Sequence, residues 1–209
     1  MATKKKTAPR PARQKPVAAQ RTFENPAPAA TTYLAPATLG RHAPVTWYEV
    51  ISTGFFSGYL PKAPGTWGSI FAALICFVGA RLLPGEGVFY LGPVPVSWWA
   101  LALAGLATAG GIYASGLYAA EWREDDPGEV VIDEFAGIFF ACALIPASPI
   151  AYLAAFVFFR IFDITKPGII NKLQDLPGGY GIVVDDVAAG IFAAPLAFGA
   201  HLLALKILG

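Results

Sequence analysis

Histidine and cysteine are nearly absent from this chain, with two of each in 209 residues. Cys76 and Cys142 both fall in apolar segments, where a thiol behaves as a small hydrophobe, so neither a disulfide framework nor a thiolate metal site is implied. His42 lies in the N-terminal tail and His201 near the far end of the last apolar segment, which leaves imidazole out of any candidate site. Charge is scarce as well. Asp, Glu, Lys and Arg make up 14% of the sequence, against about 25% in an ordinary soluble domain. Hydrophobic residues make up 56% and mean hydropathy is +0.54. These proportions exclude an ordinary soluble domain and indicate an integral membrane protein, and no nucleic-acid partner is expected.

The few charges are unevenly placed. Residues 1–41 hold eight of the 15 Lys and Arg against Glu24 alone, so a +7 tail precedes a body of −6. Residues 1–45 are rich in Ala, Pro, Thr and Lys and lack apolar periodicity, so they cannot bury enough surface to offset the entropy of ordering them. They are expected to form a disordered basic tail, clinging at most weakly to anionic lipid, ahead of a membrane domain over 46–209. No apolar run of signal-peptide length follows Lys4, Lys5 and Lys6.

Five apolar segments stand out, at 67–83, 97–119, 132–145, 150–163 and 187–208. The expectation is an all-α integral membrane protein of about five apolar helices. The second and fifth are long enough to cover a hydrocarbon core of about 30 Å, whereas the third and fourth reach only about 21 Å. Pro146-Ala147-Ser148-Pro149 joins those two as a short helical hairpin, expected to thin the bilayer or to enter it without crossing. If every segment spans, the tail, Lys62, Arg123, Lys166 and Lys172 share one side, which the positive-inside rule makes cytoplasmic. The Gly-rich and acidic stretches 52–66, 120–134 and 163–186 then converge on that same face, as a site requires.

Four stretches carry the chemistry. STGFFSGYLPKAPGTWGS, residues 52–69, combines Gly54, Gly58, Gly65 and Gly68 with Lys62 and leads into a helix expected to start at Thr66 or Trp67, whose free amides would favour a phosphate. It lacks the Gly-Lys-Ser/Thr order of a Walker A loop, and a plain turn into a helix explains it as well. In VVIDEFAG, Asp133 and Glu134 open the third helix; they could cap it, but two adjacent acids at the edge of hydrocarbon call for something that neutralises them.

FFRIFDITKPG is more diagnostic, because Asp163 sits at the C-terminal end of its helix, where the dipole is already negative and capping is no explanation. Either it is the centre of an ion-pair ladder with Arg160 and Lys166, or it binds a metal while those cations take a phosphate. GGYGIVVDDVAAG places Asp185 and Asp186 at the mouth of the last helix, after a mobile loop holding Gly178, Gly179 and Gly181. Asp175 reads as solvated. Carboxylates from three helix ends, without thiolate or imidazole, form an oxygen-only set that suits Mg²⁺. The metal candidates are Asp133, Glu134, Asp163, Asp185 and Asp186. A water made nucleophilic by the ion could attack the phosphorus in line, with Lys62, Arg160 or Lys166 offsetting charge; attack by an Asp is the competing route.

Together the four stretches resemble the phosphatidylglycerophosphatase A family, in the same order over roughly residues 48–208. The resemblance implies an inner-membrane, multi-pass, Mg²⁺-dependent hydrolase that converts the phospholipid phosphatidylglycerophosphate to phosphatidylglycerol, with its site facing the cytoplasm. The family's polar motif positions fall on Thr53, Ser57, Lys62, Asp133, Glu134, Arg160, Asp163, Lys166, Asp185 and Asp186. Of these Asp133, Glu134, Asp163, Lys166 and Asp186 are expected to be catalytic, while Thr53, Ser57, Lys62, Arg160 and Lys166, with Gly65 and Thr66, are expected to hold substrate. Pro167-Gly168 departs from the Pro-aromatic pair expected in many members, and the basic tail lies outside the match. The rival reading is a small membrane transporter or cation channel with an acidic cytoplasmic mouth, although such proteins place their acids near the bilayer midplane.

Overall fold

The computed structural model describes residues 44–83 and 87–208. Residues 1–43, most of the expected basic tail, lie outside the described residues. The described chain is mostly helical. A capping box starts α1 (Trp47–Ser52), where Thr46 Oγ1 accepts the Glu49 amide at 3.2 Å and Glu49 reaches back to the Thr46 amide. The loop that follows turns sharply, with Phe55, Phe56 and Lys62 all at positive φ. Pro64 then opens α2 (Pro64–Leu82) at a position where its fixed φ suits a first helical turn.

An antiparallel hairpin of β1 (Val88–Leu91) and β2 (Val94–Ser97), in register Phe89↔Val96, leads into α3 (Trp98–Trp122). Apart from Ser97, both strands lie between the first two apolar segments, where the sequence predicts no helix. The short α4 (Ile132–Ala143) and α5 (Pro149–Thr165) follow, with Ser148 capping α5 by accepting the Ala151 amide at 3.1 Å and its hydroxyl 3.0 Å from Nδ1 of His201. A short α6 (Ile169–Leu173) precedes α7 (Gly179–Leu208).

Among the described residues three helices, α2, α3 and α7, are long and apolar enough to cross a membrane. Their outward faces expose Phe71, Leu74 and Ile75 on α2, Leu101 and Leu106 on α3, and Ile191 and Phe192 on α7. A continuous apolar exterior of this kind is the surface a bilayer covers. At 12 residues α4 spans only about 18 Å, yet it is buried along nearly its whole length against α2, α3, α5 and α7. It therefore makes no demand on bilayer thickness, because protein rather than lipid surrounds it.

Small residues permit this packing. A Cβ on Gly190 of α7 would overlap the backbone carbonyl of Gly137 on α4, and one on Gly137 would lie 2.6 Å from the carbonyl of Asp186. The two backbones thus run in near contact, as small residues allow between membrane helices. Since α4 begins beside the starts of α2 and α7 and the ends of α3 and α5, the polar helix termini meet at one end of the bundle.

Candidate active site

The first turn of α4 is the centre of that end. The Val131 amide donates to the Ser52 carbonyl at 2.9 Å, which ties the start of α4 to α1 and fixes where Asp133 and Glu134 emerge. One carboxylate oxygen from each of Asp133, Glu134 and Asp186 lies within 4.8 Å of the other two. Oδ1 of Asp133, Oε2 of Glu134, Oδ2 of Asp186 and Oδ1 of Asp185 are all buried without a hydrogen-bond partner. A buried, unpaired carboxylate oxygen is costly, and three converging carboxylates that each have one call for a cation to offset them.

Two side-chain cations flank the cluster. Arg160 approaches Asp163 at 2.7 Å and Glu134 at 3.6 Å, and its guanidinium donates to Ser69 Oγ at 3.4 Å. Lys166 pairs closely with Asp185 and lies 3.7 Å from Asp163 and 4.0 Å from Asp186. Burial opposes its charge, but the Asp185 hydrogen bond and the surrounding carboxylates outweigh that and hold its ammonium above the usual lysine range. Asp163 has one oxygen on each cation, which is the ladder allowed by the sequence. It stands outside the three-oxygen cluster, as does Asp185.

Two helix starts differ from expectation, and both differences move candidate groups. With Pro64 as the first residue, α2 begins before Thr66, so the amides of Thr66 and Trp67 bond the Ala63 carbonyl at 3.0 and 3.2 Å and are not free for an anion. Gly65 instead lets the backbone lie on the site itself: a Cβ there would overlap Oε1 of Glu134 and come within 3.2 Å of Arg160. Similarly α7 begins at Gly179, so Asp185 and Asp186 lie in its second turn rather than at its mouth. Gly179 and Gly181 are helical and abut the carbonyls of Ile112 and Leu176, and the left-handed turn falls on Gly178. Close backbone approach, not loop mobility, explains those glycines.

Thr53 and Ser57 are buried, and their hydroxyls serve the loop. Thr53 Oγ1 donates to the Glu49 carbonyl at 2.7 Å and accepts the Phe56 amide, while Ser57 Oγ donates to the Gly54 carbonyl at 2.8 Å. Neither contacts the carboxylates. Lys62 is exposed and, among the described residues, forms no ion pair.

A cavity of about 580 Å³ adjoins the cluster between α3 and α7, with Asp133, Asp185 and Lys166 on its inner wall and Arg123, Asp126 and Gln174 also in its lining. Sequence reasoning passed over Asp126 and the position of Arg123, since both sit in a polar loop with other charges and no local pattern marks them. Loss of hydration at the cavity wall pushes the Asp126 carboxyl above the usual range, Lys166 opposing and Asp163 adding to the shift. Asp175 is exposed at the cavity rim.

The family model described as "Phosphatidylglycerophosphatase A" matches residues 50–201. A protein of Bacteroides thetaiotaomicron, named provisionally as a phosphatidylinositol-3-phosphatase, is 38% identical over 69% of this chain and 87% of its own length. Proteins named phosphatidylglycerophosphatase A from Haemophilus influenzae and Escherichia coli are 36% and 30% identical, each over 72% of this chain and over 86% and 81% of their own. No solved structure matches.

Proposed function

As the chain belongs to the phosphatidylglycerophosphatase A family, we propose that it is a Mg²⁺-dependent phosphatase that hydrolyses phosphatidylglycerophosphate to phosphatidylglycerol and phosphate. In this reading it acts in phospholipid biosynthesis, at the cytoplasmic face of the inner membrane. The observation that carries the reading is the convergence of Asp133, Glu134 and Asp186, which each offer an oxygen within 4.8 Å of the other two and each have a buried oxygen without a hydrogen-bond partner. An all-carboxylate donor set suits a hard divalent cation, so the residues fit Mg²⁺, with Asp133, Glu134 and Asp186 as its holders. The chemistry such an ion supplies is Lewis acidity toward phosphoryl oxygens.

The chain's own groups do the rest. Lys166, held by Asp185 and Asp163, and Arg160, held by Asp163 and Glu134, present fixed positive charge to a phosphate that enters from the cavity. Asp163 is thus a positioning residue for both cations. Asp133 also lines the cavity, where its carboxylate is the group placed to accept the proton of an attacking water. The new P–O bond forms as the ester bond to glycerol breaks, and the departing oxygen takes up a proton from solvent in the cavity.

The test is phosphate release by detergent-purified protein from phosphatidylglycerophosphate, phosphatidylinositol 3-phosphate and phosphatidic acid, with Mg²⁺ and with a chelator. Chelator-sensitive release from phosphatidylglycerophosphate is expected. No release from any lipid, together with cation flux in liposomes, would replace the enzyme with the transporter or channel reading.

A further inference from the structure

We propose that Arg123 selects lipids bearing a second, diester phosphate, by holding that phosphate at the cavity wall while the terminal monoester meets the carboxylates; this rests on the phosphatase reading. Phosphatidylglycerophosphate carries a diester between its diacylglycerol and its glycerol, and a monoester on the far carbon of that glycerol. A cavity of about 580 Å³ is of a size that takes such a headgroup.

Most charges in the lining would repel the diester, since Glu124, Asp125, Asp126, Asp133, Asp175 and Asp185 all contribute to it. The cations of the lining are Lys166 and Arg123. Lys166 is engaged by Asp163, Asp185 and Asp186. Arg123 has no carboxylate partner among the described residues, although three acids follow it directly in the sequence. Among the described residues the diester therefore has one free cation in the lining to meet.

The backbone at this point adds a second observation. Arg123 ends α3 in the left-handed conformation, φ 57°, with its amide bonded to the Ala119 carbonyl. Glycine is the ordinary residue for that cap, because a side chain is strained there. An arginine also complements the negative end of the α3 dipole, which is the rival account of its presence. The two accounts separate on chemistry: a dipole is satisfied by any cation, whereas a phosphate gains from the two-pronged guanidinium.

The experiment uses the full chain in mixed micelles and compares wild type, Arg123→Gln and Arg123→Lys. It measures kcat/KM on phosphatidylglycerophosphate and on phosphatidic acid, which has a monoester and no diester. It also measures inhibition by phosphatidylglycerol, which keeps the diester and lacks the monoester. For Arg123→Gln the preference for phosphatidylglycerophosphate should fall about ten- to a hundredfold, mainly through KM, with inhibition by phosphatidylglycerol weakened to match. Arg123→Lys should recover only part of both. Equal losses on the two substrates with inhibition unchanged, no loss on either, or full recovery by lysine would overturn the proposal and leave Arg123 as a helix cap. Wild-type protein that releases no phosphate from either lipid would overturn the phosphatase reading itself, and this one with it.

Discussion

Gly65→Ala isolates the geometry of the site from the stability of the fold. The added methyl would overlap Oε1 of Glu134, lie 3.0 Å from its Cδ and 3.2 Å from the Arg160 guanidinium. All three atoms are at the ends of flexible side chains, so they can yield without moving backbone. Replacing a helical glycine also favours the helix, by up to about 1 kcal/mol. The unfolding temperature should therefore stay close to wild type.

The carboxylate, however, cannot keep its place among the three converging oxygens. A displacement of about 1 Å in a catalytic group commonly costs about a hundredfold in rate, and a loss of that order in phosphate release per folded molecule is expected. Gly190→Ala is the contrasting case, because its Cβ would overlap the Gly137 carbonyl and can be relieved only by parting α4 from α7. Overpacking of that kind costs about 1 to 3 kcal/mol and should appear as lost folded yield and a lowered unfolding temperature. The assay pairs thermal unfolding in detergent with kcat. Gly65→Ala protein turning over at the wild-type rate per folded molecule would refute the placement of Glu134 in the site.

Asp163→Asn should abolish nearly all phosphate release while expression and thermal stability stay near normal, since it removes the charge that holds Arg160 and Lys166; an unstable protein that is fully active per folded molecule would reduce Asp163 to a structural ion pair. Asp133→Asn, Glu134→Gln and Asp186→Asn should each lose activity with little rescue by added Mg²⁺, and a high-Mg²⁺ rescue to the wild-type rate would count against their holding the ion. Deletion of residues 1–41 should leave turnover in detergent intact, and a large loss with the protein still folded would show that the tail belongs to the catalytic unit. In a variant lacking Cys76 and Cys142, single cysteines at Asp125 and Pro177 should label from one side of the membrane and one at Tyr90 from the other; labelling of Asp125 and Pro177 from opposite sides would break the site apart.

The parts of this protein legible in its sequence are those governed by neighbours along the chain. Apolar runs at 67–83, 97–119 and 187–208 mark α2, α3 and α7, the helices long and apolar enough to cross a membrane, because hydrocarbon demands an unbroken apolar length. The Arg160–Asp163–Lys166 ladder follows from a three-residue spacing at a helix end, and that spacing brings side chains together wherever the helix is placed. The conjunction of the four motifs likewise carried the family, which the match over residues 50–201 establishes.

What tertiary structure alone decided is which charges meet across helices. Nothing local says that Asp186 joins Asp133 and Glu134, that Lys166 turns to Asp185, or that the backbone at Gly65 lies on Glu134. Those contacts depend on how closely α2 and α7 approach α4, a distance set by Gly65, Gly137 and Gly190, where the absence of a side chain becomes meaningful only once its neighbour is known. Arg123 and Asp126 were hidden for the same reason: in sequence they are two charges in a polar loop, and only the packing of α3 beside α7 turns that loop into the wall of a cavity.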